Sequence, residues 1–353
     1  MRLLSRCRKE VALQCLKERA RLLDSDKNKE PIATFQWQRR EKSGGSLAMK
    51  HAWKITAILL TMFLAAQLIG LAVTNHYNSE ENALPYGMGI YEATEQSEYN
   101  SYFSQLILAF IIAIALLLIF TKFEFKFILR AWFFLVVVLA LGIFFYSLTK
   151  NFDSILLQEI PIIATLIAIP LAYFKIYKRD FVVHNFTELL IYPGIACVFI
   201  PILNIVTIII FLVLISVYDM WAVWKSGIMQ KMAKYQIDKL RIFSGFFVPY
   251  ISKKMRAKIK NLKKDKKSKL KLKKIKVNMA ILGGGDVVFP IITAGVMLKT
   301  FPNTIIPALL VIVGAFVGLF GLFLFSEKKK FYPAMPFITT GIFLGMLISW
   351  LVF

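Results

Sequence analysis

The sequence predicts an all-α, polytopic membrane protein, and three observations predict it. Hydrophobic residues make up 58% of the 353 residues and mean hydropathy is +0.62, well above the ~45–50% apolar content of soluble domains. The apolar residues come in runs of about 20, the length a helix needs to cross a hydrocarbon core. The formal charge of +23 is segregated into the segments between those runs, as cytoplasmic membrane-flanking loops require.

The spans read, in order, 53–74, 103–121, 128–148, 157–176, 184–202, 205–224, 279–299, 304–325 and 333–352, nine transmembrane helices in all. Spans five and six are parted only by FIPILN (199–204), where Pro201 and Asn204 supply the turn. Joined, they would make one helix of about 40 residues, too long for a single crossing.

Lys and Arg then set the orientation. With the N-terminus inside, the inside loops are TKFEFKFILR, KIYKRD, the Lys-rich segment after Trp224, and SEKKK. The outside loop NHYNSEENALPYGMGIYEATEQSEYNSY has five Glu and neither Lys nor Arg. Every loop agrees with a cytoplasmic N-terminus and a C-terminus outside.

Four regions follow: a basic extension, 1–48; spans one to six, 49–224; a Lys-rich cytoplasmic loop, 225–278; and spans seven to nine, 279–353. The extension holds 7 of the 11 arginines and lacks an apolar run long enough for a signal peptide. It reads as a poorly ordered cytoplasmic segment or as an over-called start, with Met49 the natural opening of the first span; an amphipathic surface helix over VALQCLKERARLL is the alternative. Residues 225–276 carry 17 Lys and 2 Arg against Asp238 and Asp265. Runs like these between apolar spans point to a segment that lies on anionic lipid headgroups or is disordered, not to nucleic acid. Cys7, Cys15 and Cys197 make no disulfide framework, and His51, His76 and His184 make no ligand motif. No metal or cofactor is expected.

Two carboxylates stand out because a charge at bilayer depth is costly and usually faces a partner or a wet cavity. Asp219 sits in ISVYDMWAVW near the end of span six, and Asp286 follows Gly283, Gly284 and Gly285 in span seven. Asp219 lies six residues before Lys225 and Asp286 ten after Lys276, about 9 Å and 15 Å along a helix. Both are measured from the same membrane face, so antiparallel neighbours hold them at similar depth. Two facing carboxyl groups can share one proton, which makes an acid and a base at one site. A water activated between them can attack an amide carbonyl with no covalent intermediate. The glycines permit irregular backbone or close approach; a helix-packing surface with a structural Asp286 is the alternative.

A third element falls at the same level. Pro333 and Pro336 in FYPAMPF lack N–H groups and disfavour helix before them. They predict an unwound stretch with free carbonyls at the start of span nine, able to hold an extended substrate by strand-like pairing. A plain helix start is the alternative.

Tyr218-Asp219, Gly283-Gly284-Gly285-Asp286 and Pro333-Ala334-Met335-Pro336 occur in spans six, seven and nine. In that order they resemble the YD, GxGD and PAL motifs of the intramembrane aspartyl proteases of the presenilin and signal peptide peptidase type, and most closely their archaeal homologues. The resemblance covers about residue 50 to the C-terminus, and the predicted orientation is similar to that of presenilin. It implies hydrolysis of transmembrane protein or peptide substrates in the bilayer, with Asp219 and Asp286 as the catalytic pair and the other motif residues as active-site support. Met335 departs from the usual Leu but is close in volume. Obligate protein partners are not implied, and an oligomer is compatible with it. The alternative function is a proton-coupled transporter using the paired aspartates.

FSGFFVPYI (243–251) is an apolar island in the inside loop. Similar enzymes have an apolar segment here that gates the site, so Phe246, Phe247, Val248 and Pro249 are expected against the membrane near the catalytic pair. An interfacial anchor beside a helix carrying Ile228, Met232, Gln236 and Leu240 is the alternative. His184 and Glu188 open span five near Arg179, where a paired structural role and a substrate-site role both fit. Asn185-Phe186-Thr187 matches a glycosylation acceptor but falls in the membrane or on its inner side.

Overall fold

In the computed structural model, the described residues are 53–78, 84–88, 95–123, 125–149, 161–178, 180–226, 244–250, 278–326 and 332–353. The basic extension, the 228–240 helix, the Lys-rich tract beyond residue 250 and the SEKKK lysines lie outside them. The described residues all belong to one unit, Ser46–Phe353.

Nine α-helices occur among the described residues: α1 Trp53–Tyr77, α2 Gln96–Lys122, α3 Lys126–Thr149, α4 Ile162–Tyr177, α5 Phe181–Phe199, α6 Ile205–Trp221, α7 Gly284–Thr300, α8 Ile306–Phe325 and α9 Met335–Val352. Seven candidate spans among them are long and apolar enough to cross a membrane; α4, with 16 residues, and α7, with 17, are shorter. Large apolar side chains such as Phe127, Leu166 and Trp350 lie exposed on the outer surface, the arrangement a lipid solvent permits.

The helix ends follow local chemistry. Asp180 caps α5, its Oδ1 accepting from Val182 N at 2.8 Å. A 3₁₀ turn, Ile200–Ile202, then breaks the chain. Asn204 caps α6 through a reciprocal pair with Thr207, Thr207 N to Asn204 Oδ1 at 2.9 Å and Asn204 N to Thr207 Oγ1 at 2.8 Å. The FIPILN turn therefore separates two helices, as expected.

The largest departure is at the start of span seven. The expected helix from 279 begins only at Gly284, because Asn278–Gly283 is a strand, β2. It pairs antiparallel with β1, Gly245–Tyr250, from Gly245↔Gly283 to Tyr250↔Asn278. The physical reason is alternation: Phe246 and Val248 of β1 and Ala280 and Leu282 of β2 are buried on one side, while Ile281 is exposed. Among the described residues, which are otherwise helical, there is thus one two-stranded sheet.

One hydrophobic core joins α1, α5 to α9 and the sheet; a second joins α1, α3, α4 and α5. The α8–α9 contact is backbone on backbone. A Cβ on Gly314 would lie 2.1 Å from Gly341 O, and one on Gly345 2.5 Å from Leu310 O. Small residues permit this approach, which carries helix association in lipid. By contrast, α2 packs mainly on α6 and the 200–202 turn, through ring edges such as Phe103–Phe211 and Phe110–Phe211.

Candidate active site

Asp219 stands in the last turn of α6, before a π-helical turn at Ala222–Ser226, and is buried. Its Oδ2 accepts a hydrogen bond from Met335 N at 3.1 Å. Met335 is the first residue of α9, preceded by Pro333 and Ala334 outside the helix. The two prolines thus leave an orphan helix-start N–H free to reach a carboxylate on another helix. Pro336 sits inside the first turn, where a missing N–H does no harm. The unwound stretch is therefore short, Pro333 and Ala334.

Asp286 is the third residue of α7, after the N-cap Gly283. Its carboxyl lies over Gly283, where a Cβ would come within 3.1 Å of Oδ2, and it interacts electrostatically with Asp219. A carboxylate in the first turn also meets the positive end of the helix dipole. Local structure therefore aims Asp286 before any tertiary contact does.

The three glycines are not equivalent. A Cβ on Gly283 would lie 3.1 Å from Asp286 Oδ2, and one on Gly284 2.8 Å from Ser244 Oγ and 3.2 Å from Tyr192 Cε1. At Gly285, which is exposed, a Cβ would meet only the Phe289 ring at 3.5 Å.

Tyr218 turns the other way. Its ring contacts Phe110 of α2 and Trp221, with centroids 6.5 Å and 6.3 Å apart. Phe246 is buried with its ring edge on Tyr192, centroids 5.3 Å apart. Phe247 lies tilted against the His184 ring, centroids 4.3 Å apart, Val248 is buried and Pro249 is exposed. All four belong to β1, whose partner β2 runs directly into Gly284 and Asp286.

Other polar side chains brace this centre. Ser216 and Thr339 share a hydroxyl hydrogen bond of 2.8 Å between α6 and α9. Gln67 of α1, fully buried, donates to Val287 O at 2.9 Å, beside Asp286. Glu188 pairs with Lys175 of α4 and lies 3.5 Å from His184 Nε2. The pairing reading of His184 and Glu188 thus has its partners. Among the described residues no His, Cys, Asp or Glu cluster of three could hold a metal ion.

Neither Gln67 nor the Ser216–Thr339 pair is marked by a local motif. The available signal was a polar residue inside an apolar span, and Thr207 and Thr340 carry the same signal.

No curated protein matches the chain. Two solved structures resemble it, each described as a presenilin family intramembrane aspartate protease, one in space group C222 and one in P2. Both superpose with a TM-score of 0.52 at 18% identity, over 84% of this chain and 99% or 97% of theirs. The profile of the family "Signal-peptide peptidase, presenilin aspartyl protease" matches residues 60–353. With the YD, GGGD and PAMP segments gathered at one end of α6, α7 and α9, the chain belongs to that family and is a multi-pass intramembrane aspartic protease.

Proposed function

We propose that Asp219 and Asp286 together hydrolyse peptide bonds of transmembrane substrates, by activating a water held between them. The observation that carries this reading is the Met335 N–H to Asp219 Oδ2 bond, which ties the PAMP segment to one carboxylate while Asp286 interacts electrostatically with it. In the working state one carboxyl is protonated and the other ionised. The ionised group takes a proton from water as its oxygen bonds to the amide carbon, and the protonated group gives its proton to the carbonyl oxygen. The gem-diol then collapses, the C–N bond breaks and the amine leaves with a proton from the dyad. No step needs a metal or cofactor.

The register suggests where the substrate chain lies. Phe247 N and O engage Asn185 of α5, so the N–H and C=O of Phe247 point away from β2. In an antiparallel pair the opposing residue points away too, which directs the groups of Ile281 and, two residues on either side, Met279 and Gly283 to the outer edge of β2. That edge leads to Asp286, and an extended substrate can add to it as a strand. On the α9 side Pro333, outside the helix, can offer its carbonyl, whereas that of Ala334 already accepts from Ile338 N.

The cytoplasmic N-terminus, the outside C-terminus and activity without an obligate partner subunit belong to the same reading. The experiment is cleavage of a reporter transmembrane peptide by the purified full chain in detergent, beside Asp219→Ala and Asp286→Ala. Wild type is expected to cut and both folded variants to be inert; variants that cut as well as wild type overturn the reading.

A further inference from the structure

The outer edge of β1 is closed by side chains of a single helix. Gly245 N donates to Glu188 Oε1 at 3.4 Å, and Gly245 O meets His184 Nε2 at 3.0 Å. Phe247 N donates to Asn185 Oδ1 at 3.1 Å, and Asn185 Nδ2 donates to Phe247 O at 3.0 Å. The next outward position is Pro249, which has no N–H to satisfy. The Asn185 amide therefore presents one acceptor and one donor to one residue, the pattern a neighbouring strand presents. Asn185 and Glu188 are buried, and Lys175 of α4 holds Glu188 in place.

We propose that Asn185 is a positioning residue that, with His184 and Glu188, acts as a surrogate third strand on β1. The sheet is complete on that side before any substrate arrives and can grow only along β2. An isolated two-stranded pair is marginal on its own, and an open β1 edge would offer a second, unproductive place to pair. The surrogate strand removes both problems: it preforms β2 and restricts substrate to the edge that leads to Asp286. This rests on the reading of β2 as the substrate edge.

The test uses the full chain with Asn185→Leu, which fills the site and donates nothing, and Asn185→Ala, which admits water and keeps the variant set falsifiable if Leu fails to fold. The reporter peptide gives KM and kcat, and hydrogen exchange of segments 245–250 and 278–283 gives the state of the sheet. Asn185→Leu is expected to raise KM about tenfold, the loss of two modest hydrogen bonds. Its kcat should stay within twofold and exchange in 245–250 should accelerate; Asn185→Ala should do the same to a smaller degree. Unchanged KM and exchange in a folded variant overturn the proposal, and so does a fall in kcat with KM unchanged. Should wild type itself fail to cut, the dyad reading is at fault, and exchange in 245–250 alone decides the surrogate strand.

Discussion

Ser216 Oγ and Thr339 Oγ1 lie 2.8 Å apart, one turn away from Asp219 on α6 and from Met335 on α9. The hydroxyl pair and the Asp219–Met335 bond are thus two rungs between the same two helices. Both hydroxyls are buried, so deleting one strands the other.

From this follows the first prediction. Ser216→Ala and Thr339→Val should each destabilise by about 1–3 kcal/mol, the cost of an unsatisfied buried polar group. The double variant should recover part of that loss. A double-mutant cycle on thermal unfolding in detergent checks it; strictly additive effects would mean that the rung carries no coupling.

Adjacent glycines should respond oppositely. Gly284→Ala forces a Cβ to within 2.8 Å of Ser244 Oγ and against the Tyr192 ring. The cost should be about 1–3 kcal/mol of overpacking, with cleavage reduced at least tenfold. Gly285→Ala meets nothing closer than 3.5 Å and gains up to about 1 kcal/mol of helix propensity. Its thermal stability should hold or rise, so any fall in its kcat/KM would mark direct substrate contact at that position.

The dyad fixes the form of the pH profile. Below the working range both carboxyls are protonated and there is no base; above it both are ionised and there is no acid. A plot of kcat/KM against pH should be bell-shaped with one limb on each side. A profile rising to a plateau with no alkaline fall would show that the second carboxyl is not needed as an acid.

Helix α9 reaches Asp219 only because it lies flush on α8. Gly341→Val places a branched side chain where even a Cβ would lie 2.1 Å from Gly314 O. Separating the helices should cost about 1–3 kcal/mol or more and withdraw the Met335 N–H from Asp219. Gly321→Ala on the same α8, with no atom within 4 Å of its Cβ, is the control and should retain full cleavage. Equal activity in the two variants would disconnect the α8–α9 contact from the site.

Much of this was legible in the chain. Spans are readable because a lipid solvent demands long apolar runs, and Asp219 and Asp286 are readable because a charge there must be accounted for. Pro333 and Pro336 announced their break through a lack of N–H groups. The β1–β2 sheet was not legible: NMAILG continues an apolar span, and its partner strand lies on the far side of the Lys-rich tract. Asn185 was hidden for the same reason, since its partner Phe247 stands 62 residues away. His184 and Glu188 showed that pairing was required, but not with whom. Periodicity reports which face is apolar; it carries no record of long-range polar pairs.

The bare backbone contact between α8 and α9 has a consequence for how substrates are admitted. No side chain lies between Gly314 and Gly341 to compress or rotate aside, so the wall that carries Pro333 to Pro336 cannot yield by small steps. Helix α2, by contrast, meets α6 through ring edges rather than backbone. If Asp219 is a cutting group, the rigid α8–α9 pair is expected to hold the depth of its partner Met335 constant, whatever the girth of the chain brought to it.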